Sequence, residues 1–288
     1  MGSNEFQFLA GRYRISLHTN IPKLSSWIEQ LYNPEPDSPW DFADFHVRVS
    51  RYRGLDTLFQ KQAKFTFAER TFFNPLEYDH AFPLLEWGLN WCVTNHINTF
   101  IVIHGAVLER NGCALVMPGN PGSGKSTLCA ALSFRKQWRL LSDELTLYDA
   151  NTNQITPNPR PIALKDGSID VVGRFHPRLS FTEQIHDTHK GSISYLLPES
   201  ESLKRRMDNA EPSVLLFPRY DREADGCSLM PIDRAVAMMR LAEQTFNYSI
   251  LGQTAFTGLN RFVRNSRCFE LHYNGDLELA CQAIEELF

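Results

Sequence analysis

The segment Gly119-Asn120-Pro121-Gly122-Ser123-Gly124-Lys125-Ser126-Thr127 satisfies the pattern GxxxxGK[ST] in full, and no other stretch restricts the fold as much. The pattern makes a phosphate-binding loop only where a buried strand leads in and a helix leads out. Both flanks supply that context, since Ala114-Leu115-Val116-Met117 reads as a buried strand and residues 125–135 as a helix. Glycines at 119, 122 and 124 let successive backbone N–H groups converge on phosphate oxygens. The helix N-terminus adds its positive dipole end. Lys125 offers a point charge to the β and γ phosphates, and the Ser126 hydroxyl offers a ligand to Mg²⁺. A site for ATP and Mg²⁺ is therefore expected, with residues 119–127 as its cradle.

The chain on either side of this loop divides into two parts. Residues 1–97 read as a strand-rich module, with alternating apolar and polar positions over residues 8–17, 45–51 and 64–70. A proline-rich loop at 33–39 separates the first two of these strands. The module closes with a helix over about residues 79–96, whose Phe82, Leu85, Leu89 and Val93 recur at helical spacing as a core face. From residue 98 the pattern becomes that of a mixed α/β, nucleotide-binding core. Apolar runs at 100–104 and 113–117 flank Asn111-Gly112, a strong hairpin signal. Strands near 139–141, 145–148, 214–217 and 268–272 and helices near 233–244, 254–263 and 276–287 follow. The stretch 150–210, broken by prolines and glycines, reads as a long loop that covers a substrate.

The next chemical feature is Ser142-Asp143-Glu144, two adjacent carboxylates at the end of a short apolar run. In an ATPase, Asp143 would sit on Mg²⁺ and Glu144 would activate water. In a kinase, one carboxylate takes the proton of the acceptor and the other holds metal. Asp143 follows Lys125 by 18 residues, enough for the P-loop helix and one return strand, and this short interval favours the kinase. Lys165, Lys190 and Arg219 are candidate phosphate or substrate contacts. Phe246 and Tyr248 are read as packing residues. His186 and His189 lack a third ligand and are not read as a metal site.

Several segments together resemble one family. His104-Gly105, the hairpin, the P-loop fifteen residues after His104, and the acidic pair after the helix are similar to HPr kinase/phosphorylase. The segments FHVRV (45–49), EWGLNWC (86–92), PRPIALKDGS (159–168), LLFPRY (215–220) and FNYSILG (246–252) resemble the branch called HprK-related kinase A, over nearly the whole chain. The resemblance implies a PEPCK-like P-loop fold and ATP- and Mg²⁺-dependent phosphorylation of a hydroxyl, often a serine of a protein or peptide. It implies that Asp143 is the catalytic base, that His104 orients and tunes it, and that Glu144 stands where the family has a second, metal-binding aspartate. The chain shows no counterpart to the family's later EIRG-type signature, and its N-terminal module differs from the usual one. A small-molecule acceptor, such as a serine-like metabolite, is the alternative within the same chemistry.

Composition removes other classes. A net charge of −4 gives no general attraction to nucleic acid or anionic membranes. No apolar run reaches the ~20 residues of a membrane span, and no basic-then-apolar leader opens the sequence. Six cysteines without a CxxC pair suggest neither a disulfide framework nor zinc. A cytoplasmic enzyme with a small protein or peptide partner is the expectation, and self-association into a homo-oligomer is compatible with it.

Overall fold

In a computed structural model of the chain, residues 4–34, 40–52 and 61–288 are described. They form an α/β structure in two compact units, Met1–His96 and Ile97–Phe288.

In the first unit, β1 (Asn4–Ala10) and β2 (Tyr13–Thr19) form a hairpin. The single strand expected over residues 8–17 is thus two, because Gly11, at φ 63°, and Arg12 turn the chain inside the alternating pattern. Helix α1 (Pro22–Tyr32) was not expected. Its Leu24, Trp27, Ile28 and Leu31 are buried at i, i+3, i+4 and i+7, and Pro22 occupies the first turn, where no N–H partner is needed. This helix carries the chain over to β3 (Phe45–Tyr52), which pairs parallel with β2. Strand β4 (Gln62–Phe67) pairs antiparallel with β3, and the short β5 (Arg70–Thr71) and β6 (Leu76–Glu77) both pair with β4. Helix α2 (Ala81–His96) packs on this sheet with Phe82, Leu85, Leu89 and Val93 buried. Residues 35–39 of the proline-rich loop lie outside the described residues.

The second unit is built on a mixed sheet. It contains β7 (Ile101–Arg110), β8 (Cys113–Pro118), β9 (Arg139–Ser142), β10 (Leu145–Asp149), β11 (Gln154–Thr156), β15 (Glu211–Tyr220), β16 (Cys227–Pro231) and β17 (Arg267–Tyr273). The strand order is β11-β10-β7-β8-β15-β17-β16, with β9 also paired to β7. Strands β8, β15 and β17 run parallel, so their C-terminal ends meet at one edge, where ligands of open α/β sheets bind. One face of the sheet is covered by α3 (Lys125–Lys136), α4 (Gly167–Phe175) and α9 (Leu277–Glu285), around a core of Leu128, Leu132, Trp138, Val172, Leu271 and Ile284. The other face is covered by α6 (Arg234–Glu243) and α8 (Gln253–Asn265), with α7 (Tyr248–Leu251) between them, over a core that includes Ile103, Val116, Leu215, Leu259 and Phe262.

The stretch read as a long loop is largely structured. It contains β11, the short helix α5 (Ser200–Lys204), and a small separate sheet of β12 (Ile162–Lys165), β13 (Ile185–Thr188) and β14 (Gly191–Leu196), ordered β12-β14-β13. Prolines and glycines mark the ends of these short strands. The loop at 157–161 is buried, which its composition does not suggest.

The six cysteines are all free, and Cys92, Cys129, Cys268 and Cys281 are buried in the cores. Among the described residues no helix is long and apolar enough to cross a membrane.

Candidate active site

The P-loop leaves the C-terminal end of β8 and enters α3. At the entry Gly124 has φ 95°, a left-handed conformation that side chains resist. A Cβ there would also lie 1.9 Å from the Tyr273 hydroxyl. Lys125 is the first residue of α3, and its first-turn N–H groups have no intrahelical acceptor. Its ammonium is nearly buried and donates to the backbone carbonyls of Gly119 and, at 3.0 Å, Asn120. Burial pulls this ammonium down to about 8, against the opposing pull of Asp143 and Glu144. The Asn120 side-chain oxygen accepts from Gln244 Nε2 at 2.9 Å, which fastens the loop to the end of α6.

Asp143 and Glu144 interrupt the pairing of one strand edge. Ser142 pairs with Val107 on β7 and Leu145 with His104, and the two acids bend away between these points. The Gly105 N–H donates to the Glu144 carbonyl at 3.1 Å and holds the break in register. The His-Gly pair and the acidic pair are therefore cross-strand neighbours, although about forty residues separate them in sequence.

The two carboxylates occupy different environments. Asp143 is 4% exposed. Its Oδ2 accepts from the Ser126 hydroxyl at 3.2 Å and from the Ala163 N–H at 3.3 Å, whereas Oδ1 is buried with no hydrogen-bond partner. Burial, reinforced by the charge of Glu144, pushes this carboxyl up to about 6. Glu144 is 31% exposed and lies 4.0 Å from the Lys165 ammonium. Burial raises its carboxyl, but Lys165, Lys190, Arg160 and His104 together hold it below the usual carboxylate range.

Lys165 is the last residue of β12, and Lys190 is at the β13–β14 turn. The small sheet thus brings both candidate lysines to Glu144. Arg160, missed in the sequence, comes from the buried proline-flanked loop and acts on the same carboxylate. His104 is half-buried, with its backbone N–H on the Gln244 carbonyl at 2.7 Å. Burial lowers its imidazole, Lys125 lowers it further, and Glu144 opposes both. His104 makes no hydrogen bond to Asp143 among the described contacts. Its ring neighbour is Phe246, with centroids 5.8 Å apart. Phe246 is 53% exposed, so it is a rim residue and not the packing residue expected. Arg219 is exposed near the C-terminal end of β15, at the same sheet edge as the P-loop. It has no ion pair with Asp143 or Glu144, and the structure does not group it with Lys165 and Lys190.

Among the described residues no group of three or more His, Cys, Asp or Glu side chains forms a metal cage. Ser126 and Asp143, with Glu144 nearby, nevertheless suit Mg²⁺, which uses one or two carboxylates and completes its shell with substrate phosphates. The buried Asp143 Oδ1 without a partner is the specific sign of fit. His186 donates to or accepts from Ser192 at 3.0 Å and lies outside this group. No family model matches the chain, and no curated protein matches it.

Proposed function

We propose that the chain is an ATP- and Mg²⁺-dependent kinase of the HPr kinase type, with a PEPCK-like P-loop core, that transfers the γ-phosphoryl group to a hydroxyl. The observation that carries this reading is the hydrogen bond between Ser126 of the P-loop and the buried carboxylate Asp143, which sets a carboxylate beside the first turn of the helix that follows the loop.

Each role follows from the surroundings of the residue. The backbone of residues 119–127 and Lys125 bind the phosphates. Asp143 accepts the proton of the acceptor hydroxyl, a role that suits the carboxyl with few compensating cations. Mg²⁺, which Ser126 and Glu144 would hold, would supply charge neutralisation on the phosphates. Lys165 and Lys190 meet negative charge developing on the transferred group, and in the resting arrangement Glu144 balances them. His104 fixes the rim beside Glu144. Its backbone bond to Gln244 couples it to Asn120 of the loop.

The acceptor in this proposal is a serine of a small protein or peptide, reached in the cytoplasm. Exposed Phe246 beside His104 offers a macromolecular acceptor an apolar contact at the mouth of the site. Incubation with γ-labelled ATP and a lysate of the source organism tests this. The expected product is a labelled protein whose phosphate is stable to acid and labile to alkali, as a serine ester is. A labelled metabolite would move the acceptor to the small-molecule class.

The Ser126–Asp143 bond also favours a second reading. In an ATPase the Asp beside the P-loop serine shares the metal, and the following Glu activates water. Against it, Glu144 is surrounded by cations that weaken it as a base. Label recovered only as inorganic phosphate, with any acceptor, would support the ATPase.

A further inference from the structure

The acidic pair and His104 lie on the β7 side of the P-loop, and β15 and β17 lie on the other side. If the γ-phosphate faces Asp143 and the next phosphate sits on the first turn of α3, the nucleoside must leave across the ends of β15 and β17. This step rests on reading the loop as a nucleotide site.

An aromatic pair is placed there. Tyr220 ends β15 and is in register with Tyr273 of β17. Their ring centroids are 5.8 Å apart. Tyr273 is buried, and its hydroxyl donates to the Gly124 carbonyl at 3.5 Å, so the pair is anchored to the P-loop itself. Tyr220 is 46% exposed. The turns that follow β15 and β17 are fastened, by Asp221 N–H to the Tyr273 carbonyl at 3.0 Å and Asn274 N–H to the Gly226 carbonyl at 3.1 Å. At Gly275, with φ 101°, a Cβ would come within 3.2 Å of the Tyr220 ring. The absence of a side chain at 275 leaves room around the ring.

We propose that Tyr220 is the base-stacking residue of the nucleotide site, on which the purine ring of the bound triphosphate lies. A π-face on an aromatic side chain is a general way to hold a base without reading its edge. Tyr273 does not touch the base and acts as a positioning residue between the platform and the loop.

Calorimetric titration of the full chain with Mg-ATP and with inorganic tripolyphosphate tests the assignment, because tripolyphosphate has the phosphates and no base. Tyr220→Ala is expected to weaken ATP about tenfold or more and to leave tripolyphosphate affinity unchanged. Tyr220→Phe is expected to bind ATP as the parent chain does. ATP binding unaltered in Tyr220→Ala, or an equal loss for both ligands, would overturn the proposal. A parent chain that bound tripolyphosphate tightly and ATP no better would overturn it as well, while leaving the phosphate loop intact. Failure of the parent chain to bind either ligand would instead remove the nucleotide reading, and this assignment with it.

Discussion

The Ser126 hydroxyl donates to Oδ2 of Asp143 across 3.2 Å, joining the first turn of the P-loop helix to the break between β9 and β10. Seventeen residues of chain close on this one contact. It sets the carboxylate beside the first turn of α3, and the Ala163 N–H, from the small sheet, holds the same oxygen. Three elements therefore converge on one buried acid.

Lys125 is predicted to carry affinity more than stability. Its ammonium already donates to two loop carbonyls, so a phosphate replaces weak partners with a charged one. Lys125→Ala should lose about 1.5–3 kcal/mol of ATP binding, which is roughly ten- to hundredfold. Calorimetry checks this, and the thermal midpoint should shift little.

Gly124 is predicted to tolerate no side chain. Gly124→Ala meets both an unfavourable φ and the Tyr273 hydroxyl. The left-handed backbone alone costs about 1–2 kcal/mol, and the loop must shift to relieve the contact. ATP affinity should fall sharply. Adding Tyr273→Phe should restore only part of it, since the backbone strain persists. Full recovery in the double variant would assign the whole effect to the tyrosine.

Lys165 is expected to act on turnover. Lys165→Ala removes the cation 4.0 Å from Glu144, which in the proposed reaction meets the transferred group. Phosphotransfer should fall roughly a hundredfold with ATP affinity nearly unchanged. Equal losses in affinity and turnover would mean that Lys165 binds the ground state and the transition state alike.

These sites differ in how far the sequence discloses them. The P-loop is legible because its geometry admits few residue types, and its flanking strand and helix have clear periodicity. The acidic pair is legible by position, but its unequal environments are not. They depend on Ala163, Lys165, Lys190 and Arg160, all from a stretch whose prolines and glycines suggest a loop. Strands of four to six residues there leave too few alternations to count. The burial of Arg160 is set by tertiary packing of residues 157–161, with Asn158 N–H on the Leu141 carbonyl at 2.7 Å. Helix α1 was missed, although Pro22 and the helical spacing of Leu24, Trp27, Ile28 and Leu31 carry its signal. Tyr220 and Tyr273 meet only through the parallel pairing of β15 and β17, which no local pattern reveals.

A pH-dependent stability is predicted for Glu109. It is buried, accepts from the Arg139 guanidinium and, at 2.6 Å, from the Gly112 N–H, and lies 3.8 Å from Arg205. Burial raises its carboxyl, but these donors outweigh it and hold the group below its ordinary value. A carboxyl lowered on folding stabilises above its unfolded pKa, about 4.3, and that stability is lost as pH falls through the folded value. Glu109→Gln should cost about 3–5 kcal/mol at neutral pH by leaving Arg139 buried and unmatched. The gap between the denaturant midpoints of the two proteins should narrow as pH falls below the unfolded value of about 4.3. A constant gap from pH 7 to pH 3 would contradict this.

The central claim is that Asp143 is the base of a phosphotransferase, and the most direct measurement compares Asp143→Asn with Glu144→Gln for Mg-ATP binding and for phosphate transfer to the labelled acceptor. The account predicts that Asp143→Asn binds ATP and transfers less than about a hundredth of the parent rate. Normal transfer by Asp143→Asn, or tight trapping of unhydrolysed ATP by Glu144→Gln with no acceptor labelled by the parent chain, would contradict it.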